Sequence, residues 1–388
     1  MTPSSSPPPV TVLSGFLGAG KTTVLRHWLT QSAGRRWAAV VNDVAAINID
    51  AQLVRAAGAQ RVIELGNGCV CCSVRDELAE TVAELSASGQ YEHILVETTG
   101  VADPRAIADL FIRRNAFGKA LGDFARLHTL VTVIDAKAFF AAWQASTTRP
   151  AATADAAASQ ARGVKPIFEL MLDQAECADL LVLNKADLVS AEEMIRLEAV
   201  LAELNPRARL IRAEQGRIGW DAMLGAPRFE PAQTLTAAKW IRVLNQVDRG
   251  GVNVRVPRHQ TEYGITSFEF EARRPFQREK FLAWVHTQLP GGLLRAKGFF
   301  WLSEQPADIG FLSLAGGLAR TDFVGTWSAA LREQGVISAA EIPATARERW
   351  VEPDGDRRQE LVFIGLEVDE RRVRAGLEAC LVAGAERS

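Results

Sequence analysis

The chain has 388 residues and a formal net charge of −2, with nearly half its residues apolar and about a quarter charged. That length allows two domains with their own cores, and the composition is that of an ordinary folded protein. The near-neutral balance gives no bulk attraction to nucleic acid or an anionic membrane, and no apolar run approaches the ~20 residues of a membrane helix.

Residues 1–9, Met1-Thr-Pro-Ser-Ser-Ser-Pro-Pro-Pro9, lack the basic and apolar blocks of a signal peptide and read as a disordered tail. A cytoplasmic protein is expected. From residue 10 onward, β-rich apolar runs alternate with helical patterns. Val10–Ser14, Trp37–Asn42, Arg61–Leu65, His93–Glu97, Leu127–Asp135, Asp179–Asn184 and Arg209–Ala213 read as strands. Thr22–Gln31, Glu77–Ser88 and Glu192–Leu204 read as helices. Few charges interrupt the strand centres, as expected where helices cover both faces. The alternation predicts an α/β P-loop domain over 10–235 with a mostly parallel sheet. Residues 145–163, rich in Ala, Ser and Thr, read as an insertion or mobile connection, and 236–261 as a linker. Beyond it, strands at Ile265–Glu271, Leu294–Leu302 and Glu360–Leu366 and helices at Gln277–Gln288 and Glu370–Leu381 predict a smaller α+β domain over 262–388.

Gly15-Phe-Leu-Gly18-Ala19-Gly20-Lys21-Thr22 fits the pattern G-x-x-x-x-G-K-[ST] between a strand and a helix. Its backbone N–H groups, continuing through Thr23 into the helix start, would cradle phosphate oxygens beside the positive helix end. Lys21 is expected to reach the β- and γ-phosphates and the Thr22 hydroxyl to bind Mg²⁺. A chance glycine turn would lack the strand, lysine, threonine and helix in register.

The run His93–Glu97 leads into Thr98-Thr99-Gly100. Glu97 would hold Mg²⁺ through water, and the Gly100 N–H would meet the γ-phosphate. Asp135 ends another strand and is the rival carboxylate; Glu97 is preferred because Gly100 follows at a useful spacing. Asn184-Lys185-Ala186-Asp187 ends a third apolar strand. The Asp187 carboxylate can accept from guanine N1–H and the exocyclic amine, whereas adenine offers an acceptor at N1 and no such amine. The Lys185 stem would cover the base, and Asn184 would tie its loop to the phosphate loop. Alone, such a motif is also a common strand-to-helix turn with Asp187 as a cap. After a phosphate loop the guanine reading prevails, and it argues against an ATP-using kinase or transferase.

Gly66-Asn-Gly-Cys69-Val-Cys71-Cys72-Ser73 sits between a strand and a helix, and Ser73 and Asp76 have capping-box spacing. The helix N-terminus should favour thiolate. Three thiolates in four residues suit Zn²⁺ with one position left open; a redox-active thiol site and an inert turn are the alternatives. Cys177 and Cys380 stand isolated in helical patterns and read as core. Trp284, Phe299, Phe300, Trp301 and Trp327 are open to a client surface, with core packing the plainer reading for most of them.

The strings Pro9–Thr23, Gly66–Cys72, Glu97–Gly100 and Asn184–Asp187 together resemble the CobW-like P-loop GTPases. Glu262-Tyr-Gly-Ile265, Lys297-Gly-Phe-Phe-Trp301 and Gly355–Gly365 resemble the CobW C-terminal domain, so the resemblance covers nearly the whole chain. It implies slow GTP hydrolysis, a metal site at Cys69, Cys71 and Cys72, and delivery of Zn²⁺ (or Co²⁺) to a client metalloprotein. The alternative is a nucleotide-gated metal sensor or buffer without significant turnover. A homodimer is among the assemblies left open. Many relatives of this kind carry a glutamate where Ala46 stands, and some also where Val41 stands; here Asp43 and Asp50 are the acids of that switch segment. His259 stands alone where many have a histidine-rich tract. Val101 after Gly100 offers no polar group to activate water, so turnover should be slow unless a partner completes the site.

Overall fold

The apolar runs of the first half pair side by side as one parallel sheet. The computed structural model describes residues 7–32, 34–41, 61–64, 73–114, 118–147, 166–225, 229–230 and 264–383. The chain divides into two units, Met1–Ala141 with Glu169–Lys239, and Ala142–Phe168 with Trp240–Ser388.

In the first unit the strands are β1 (Pro9–Ser14), β2 (Trp37–Val41), β3 (Arg61–Glu64), β4 (His93–Glu97), β5 (Arg126–Asp135), β6 (Leu180–Asn184) and β7 (Arg209–Arg212). They lie in the order β3-β2-β4-β1-β5-β6-β7, all parallel. The intervening helices are α1 (Lys21–Gln31), α2 (Ser73–Ala87), α3 (Pro104–Leu110), α4 (Ala136–Thr147), α5 (Ile167–Glu176), α6 (Ala191–Leu204) and α7 (Trp220–Leu224), of which α4 belongs to this unit up to Ala141 and α5 from Glu169. Successive strand side chains alternate between two cores. Leu13, Leu95, Val131 and Val133 pack with Val24, Leu25, Trp28 and Leu29 of α1. Val10, Val12, Ile94 and Val96 pack with Leu78, Val82 and Leu85 of α2 and Ala108 of α3. Each large aliphatic side chain so buried contributes about 1.5–3 kcal/mol. Helix α2 begins on Ser73 itself, one position earlier than a Ser73 cap requires. The order reverses about β1, so a crevice opens where β1, β4 and β5 end.

A buried polar pair lies inside this sheet. His93 Nε2 is 2.9 Å from Thr11 Oγ1, and its ring meets Trp37 and, edge-on at 6.0 Å, His128. Burial, with repulsion from His128 and Arg126, pushes the His93 pKa down to about 3. The folded protein therefore holds His93 neutral, while the unfolded chain takes up a proton below about 6.5. This contribution to stability is complete above pH 6.5 and is lost as pH falls towards 3, at about 1.4 kcal/mol per pH unit. Asp179, pushed up to about 7 by burial, has the opposite slope over part of the range. The sign is therefore isolated by comparison with His93→Gln. Denaturant unfolding of both proteins should show wild type losing ground to the variant as pH drops from 6 to 4; parallel curves would exclude the effect.

The second unit carries β8 (Ile265–Ala272), β9 (Leu293–Phe300), β10 (Asp308–Ala315), β11 (Leu318–Thr326) and β12 (Gln359–Leu366). They form an antiparallel sheet in the order β11-β10-β9-β12-β8. Helices α8 (Arg278–Ala283, continued by a π turn to Gln288), α9 (Ser328–Glu333), α10 (Ala344–Arg347) and α11 (Glu370–Cys380) complete it. The hairpin β10–β11 was not expected. β11 is mostly half-buried or exposed and lacks a clean apolar alternation. Its signal was the Gly316-Gly317 pair, whose φ values of 53° and 80° suit a two-residue hairpin turn. Phe276 stacks on Phe281 at 4.5 Å, and Trp284, Phe300, Trp301 and Trp327 are buried, so these aromatics are core. Among the described residues, no helix is long and apolar enough to cross a membrane.

Candidate functional site

The loop between β1 and α1 closes on itself before the helix starts. Gly20 caps α1 with φ 100°, and a Cβ there would lie 2.4 Å from Asn184 Nδ2, so only glycine fits. The Lys21 ammonium is buried and donates to the Gly15 carbonyl at 3.0 Å and the Phe16 carbonyl at 3.4 Å. It thus lies over the loop whose N–H groups would face phosphate. Thr22 Oγ1 donates to Glu97 Oε1 at 2.6 Å, because parallel pairing sets Leu13 opposite Glu97. A cleft of about 310 Å³ is lined by Gly18, Lys21, Thr22, Thr23, Glu97 and Gly100, among others.

The end of β6 is stitched to this loop. Asn184 Nδ2 donates to the Ala19 carbonyl at 2.8 Å, and its Oδ1 accepts the Gly216 N–H at 2.8 Å. Lys185 adopts φ 58°, and its Nζ lies 2.6 Å from Asp135 Oδ2. Asp135 Oδ1 also accepts the Ala138 N–H at the start of α4. Asp187 sits in the exposed 3₁₀ turn Ala186–Leu188. The two rival strand-end acids therefore have different partners, Glu97 with the phosphate-loop threonine and Asp135 with the base-motif lysine.

Beyond β4, Thr98 N–H donates to the Leu13 carbonyl and Ala102 N–H to the Thr99 carbonyl at 3.1 Å. Asp103 caps α3 by accepting the Arg105 N–H, with Pro104 at the first helical position. Arg105 pairs with Glu176 at 2.8 Å and lies 3.8 Å from Asp173. Burial works against its charge, but those carboxylates outweigh it and push its pKa up. Gln174 Nε2 donates to the Gly100 carbonyl at 3.2 Å and the Ala102 carbonyl at 3.0 Å.

Cys69, Cys71 and Cys72, the segment Asn42–Asp50 and His259 lie outside the described residues. Among the described residues no group of three or more His, Cys, Asp or Glu side chains is arranged to hold a metal ion. Cys177 and Cys380 are buried free thiols, and burial pushes both pKa values up, that of Cys380 to about 11. Three contributors escaped the sequence reading: Asp135 as partner of Lys185, the Gly216 N–H, and Gln174. Only Asp135 carried a signal, its place at a strand end.

The family model for the CobW/HypB/UreG nucleotide-binding domain matches residues 9–212, and that for the cobalamin synthesis protein cobW C-terminal domain matches 265–381. Zinc-regulated GTPase metalloprotein activator 1 of Dictyostelium discoideum is 33% identical over 394 residues, covering 97% of this chain and 80% of the relative. Zinc chaperone CobW of Pseudomonas aeruginosa is 36% identical over 230 residues, covering 56% of this chain and 59% of the relative. The solved structure of Zn(II)-bound YjiA GTPase from E. coli covers 97% of this chain and 100% of its own at 19% identity, with a TM-score of 0.40. With its phosphate loop inside the first match and its antiparallel sheet inside the second, this chain belongs to the CobW/HypB/UreG nucleotide-binding family and carries a CobW C-terminal domain.

Proposed function

We propose that the chain is a GTP-binding and GTP-hydrolysing metallochaperone that carries zinc (or cobalt) at Cys69, Cys71 and Cys72 and delivers it to a client metalloprotein. One observation carries the nucleotide half: Lys21, the Thr22–Glu97 pair and the Asn184–Asp187 loop meet at the carboxyl edge of one sheet, tied together by Asn184. In this reading the backbone from Gly15 to Thr23 binds the phosphates and Lys21 neutralises the β- and γ-oxygens. Asp187 reads the guanine edge, and Lys185, steadied by Asp135, covers the base. A hydroxyl and a carboxylate 2.6 Å apart are hard oxygen donors that fit Mg²⁺, so Thr22 and Glu97 would hold it. When bound, it supplies charge neutralisation at the phosphates. Val101, 55% exposed beside Gly100, gives no base for the attacking water, which supports slow turnover without a partner.

The cargo half is supported by three closely spaced thiols and by relatives named zinc chaperone and zinc-regulated activator. The cysteine loop lies in sequence between the switch segment Asn42–Asp50 and the Glu97–Pro104 segment, so ordering both around a γ-phosphate would alter thiol geometry. Zn²⁺ affinity, measured by competition with a chromophoric chelator, should differ about 10-fold between the GTP-analogue and GDP states. Equal affinities would end the coupling. Loss of zinc without loss of nucleotide in a Cys69/Cys71/Cys72→Ser triple variant would tie the cargo to those thiols.

A further inference from the structure

Resting on the GTP reading above, we infer that Gln174 is a positioning residue that holds the γ-phosphate-sensing turn Thr99–Ala102 in its binding geometry. The turn is closed by the Ala102 N–H donating to the Thr99 carbonyl at 3.1 Å. On one side it touches the phosphate loop: a Cβ on Gly100 would lie 2.6 Å from the Leu17 nitrogen. On the other side stands Gln174, 1% exposed, whose Nε2 donates to the Gly100 carbonyl at 3.2 Å and to the Ala102 carbonyl at 3.0 Å. The Gln174 backbone carbonyl in turn accepts Thr132 Oγ1 at 2.9 Å, fastening this end of α5 to β5. Arg105, paired with Glu176 and Asp173, fastens the start of α3 to the same helix.

The placement has a direct backbone consequence. In a trans peptide the carbonyl and the following N–H point in opposite directions. Fixing the Gly100 carbonyl towards α5 turns the Val101 N–H away from α5 and sets ψ of Gly100. A rotated peptide would lose a hydrogen bond and leave a buried donor unsatisfied. A buried amide is costly to desolvate, and an aliphatic side chain would fill the same volume, so the amide is accounted for by the two carbonyls it meets. GTP differs from GDP by the γ-phosphate alone. A residue acting only through this turn therefore acts on GTP and leaves GDP untouched.

Gln174→Met keeps the side-chain length and removes both donors. Titration of the full chain with a non-hydrolysable GTP analogue and with GDP should show analogue affinity falling about 10-fold and GDP affinity staying within about two-fold, with slower single-turnover hydrolysis. Should Gln174→Met fold poorly, Gln174→Asn, which shortens the reach by one methylene, should shift the ratio the same way. An unchanged ratio in a folded variant overturns the inference, as do equal losses of both nucleotides or tighter analogue binding. Failure of the wild-type chain to bind the analogue at all would instead take down the GTP reading on which the inference rests.

Discussion

Lys21→Ala should reduce GTP-analogue affinity by roughly 150-fold or more and leave hydrolysis near background. Charge-assisted hydrogen bonds contribute about 1.5–3 kcal/mol each, and Lys21 is placed to make them to two phosphates. The ammonium lies 3.0 Å and 3.4 Å from two carbonyls of the phosphate loop, so a short swing brings it over the cradle. Alanine leaves the N–H groups in place but removes the one cation that the G-x-x-x-x-G-K-[ST] pattern supplies. Fluorescent-nucleotide titration and phosphate release would measure both effects, and a thermal melt would verify the fold. Near-normal binding by a folded variant would mean that the nucleotide lies elsewhere.

Asp187→Asn should lower GTP affinity by about 100-fold or more and move base preference towards xanthine. An ionised carboxylate accepts from both guanine donors, whereas an amide aims one of its own donors at them, leaving buried groups unpaired. Xanthine carries a carbonyl where guanine carries its amine, and the asparagine N–H can meet it. The Asp187 carboxylate is exposed at the strand end and three residues past Asn184, which ties this loop to the phosphate loop. Competition among GTP, ATP and XTP on both proteins would read the change. An unaltered base order would remove Asp187 from base recognition.

Much of this site was legible because its constraints are short-range. A phosphate loop is one backbone turn between a strand and a helix, and its glycines and lysine must occur at fixed offsets. The Asn184–Asp187 loop is a strand end with three chemistry-bearing residues in four positions. The parallel sheet was equally legible, since strands covered on both faces show unbroken apolar runs. The β10–β11 hairpin was not, because an edge strand with one wet face dilutes its pattern with Arg320, Thr321 and Asp322.

From its sequence alone, then, the chain determined the phosphate loop, the Asn184–Asp187 loop proposed to read guanine and the α/β class, each written in neighbouring residues. Tertiary structure alone decided which acid serves which partner: the order β4-β1-β5-β6 sets Glu97 beside Thr22 and Asp135 beside Lys185. It also brought Gln174 onto a turn more than seventy residues away. The physical reason is the same in both cases. Strand order and helix docking minimise the free energy of the whole core, and a hydrogen bond across that distance leaves no trace in local pattern.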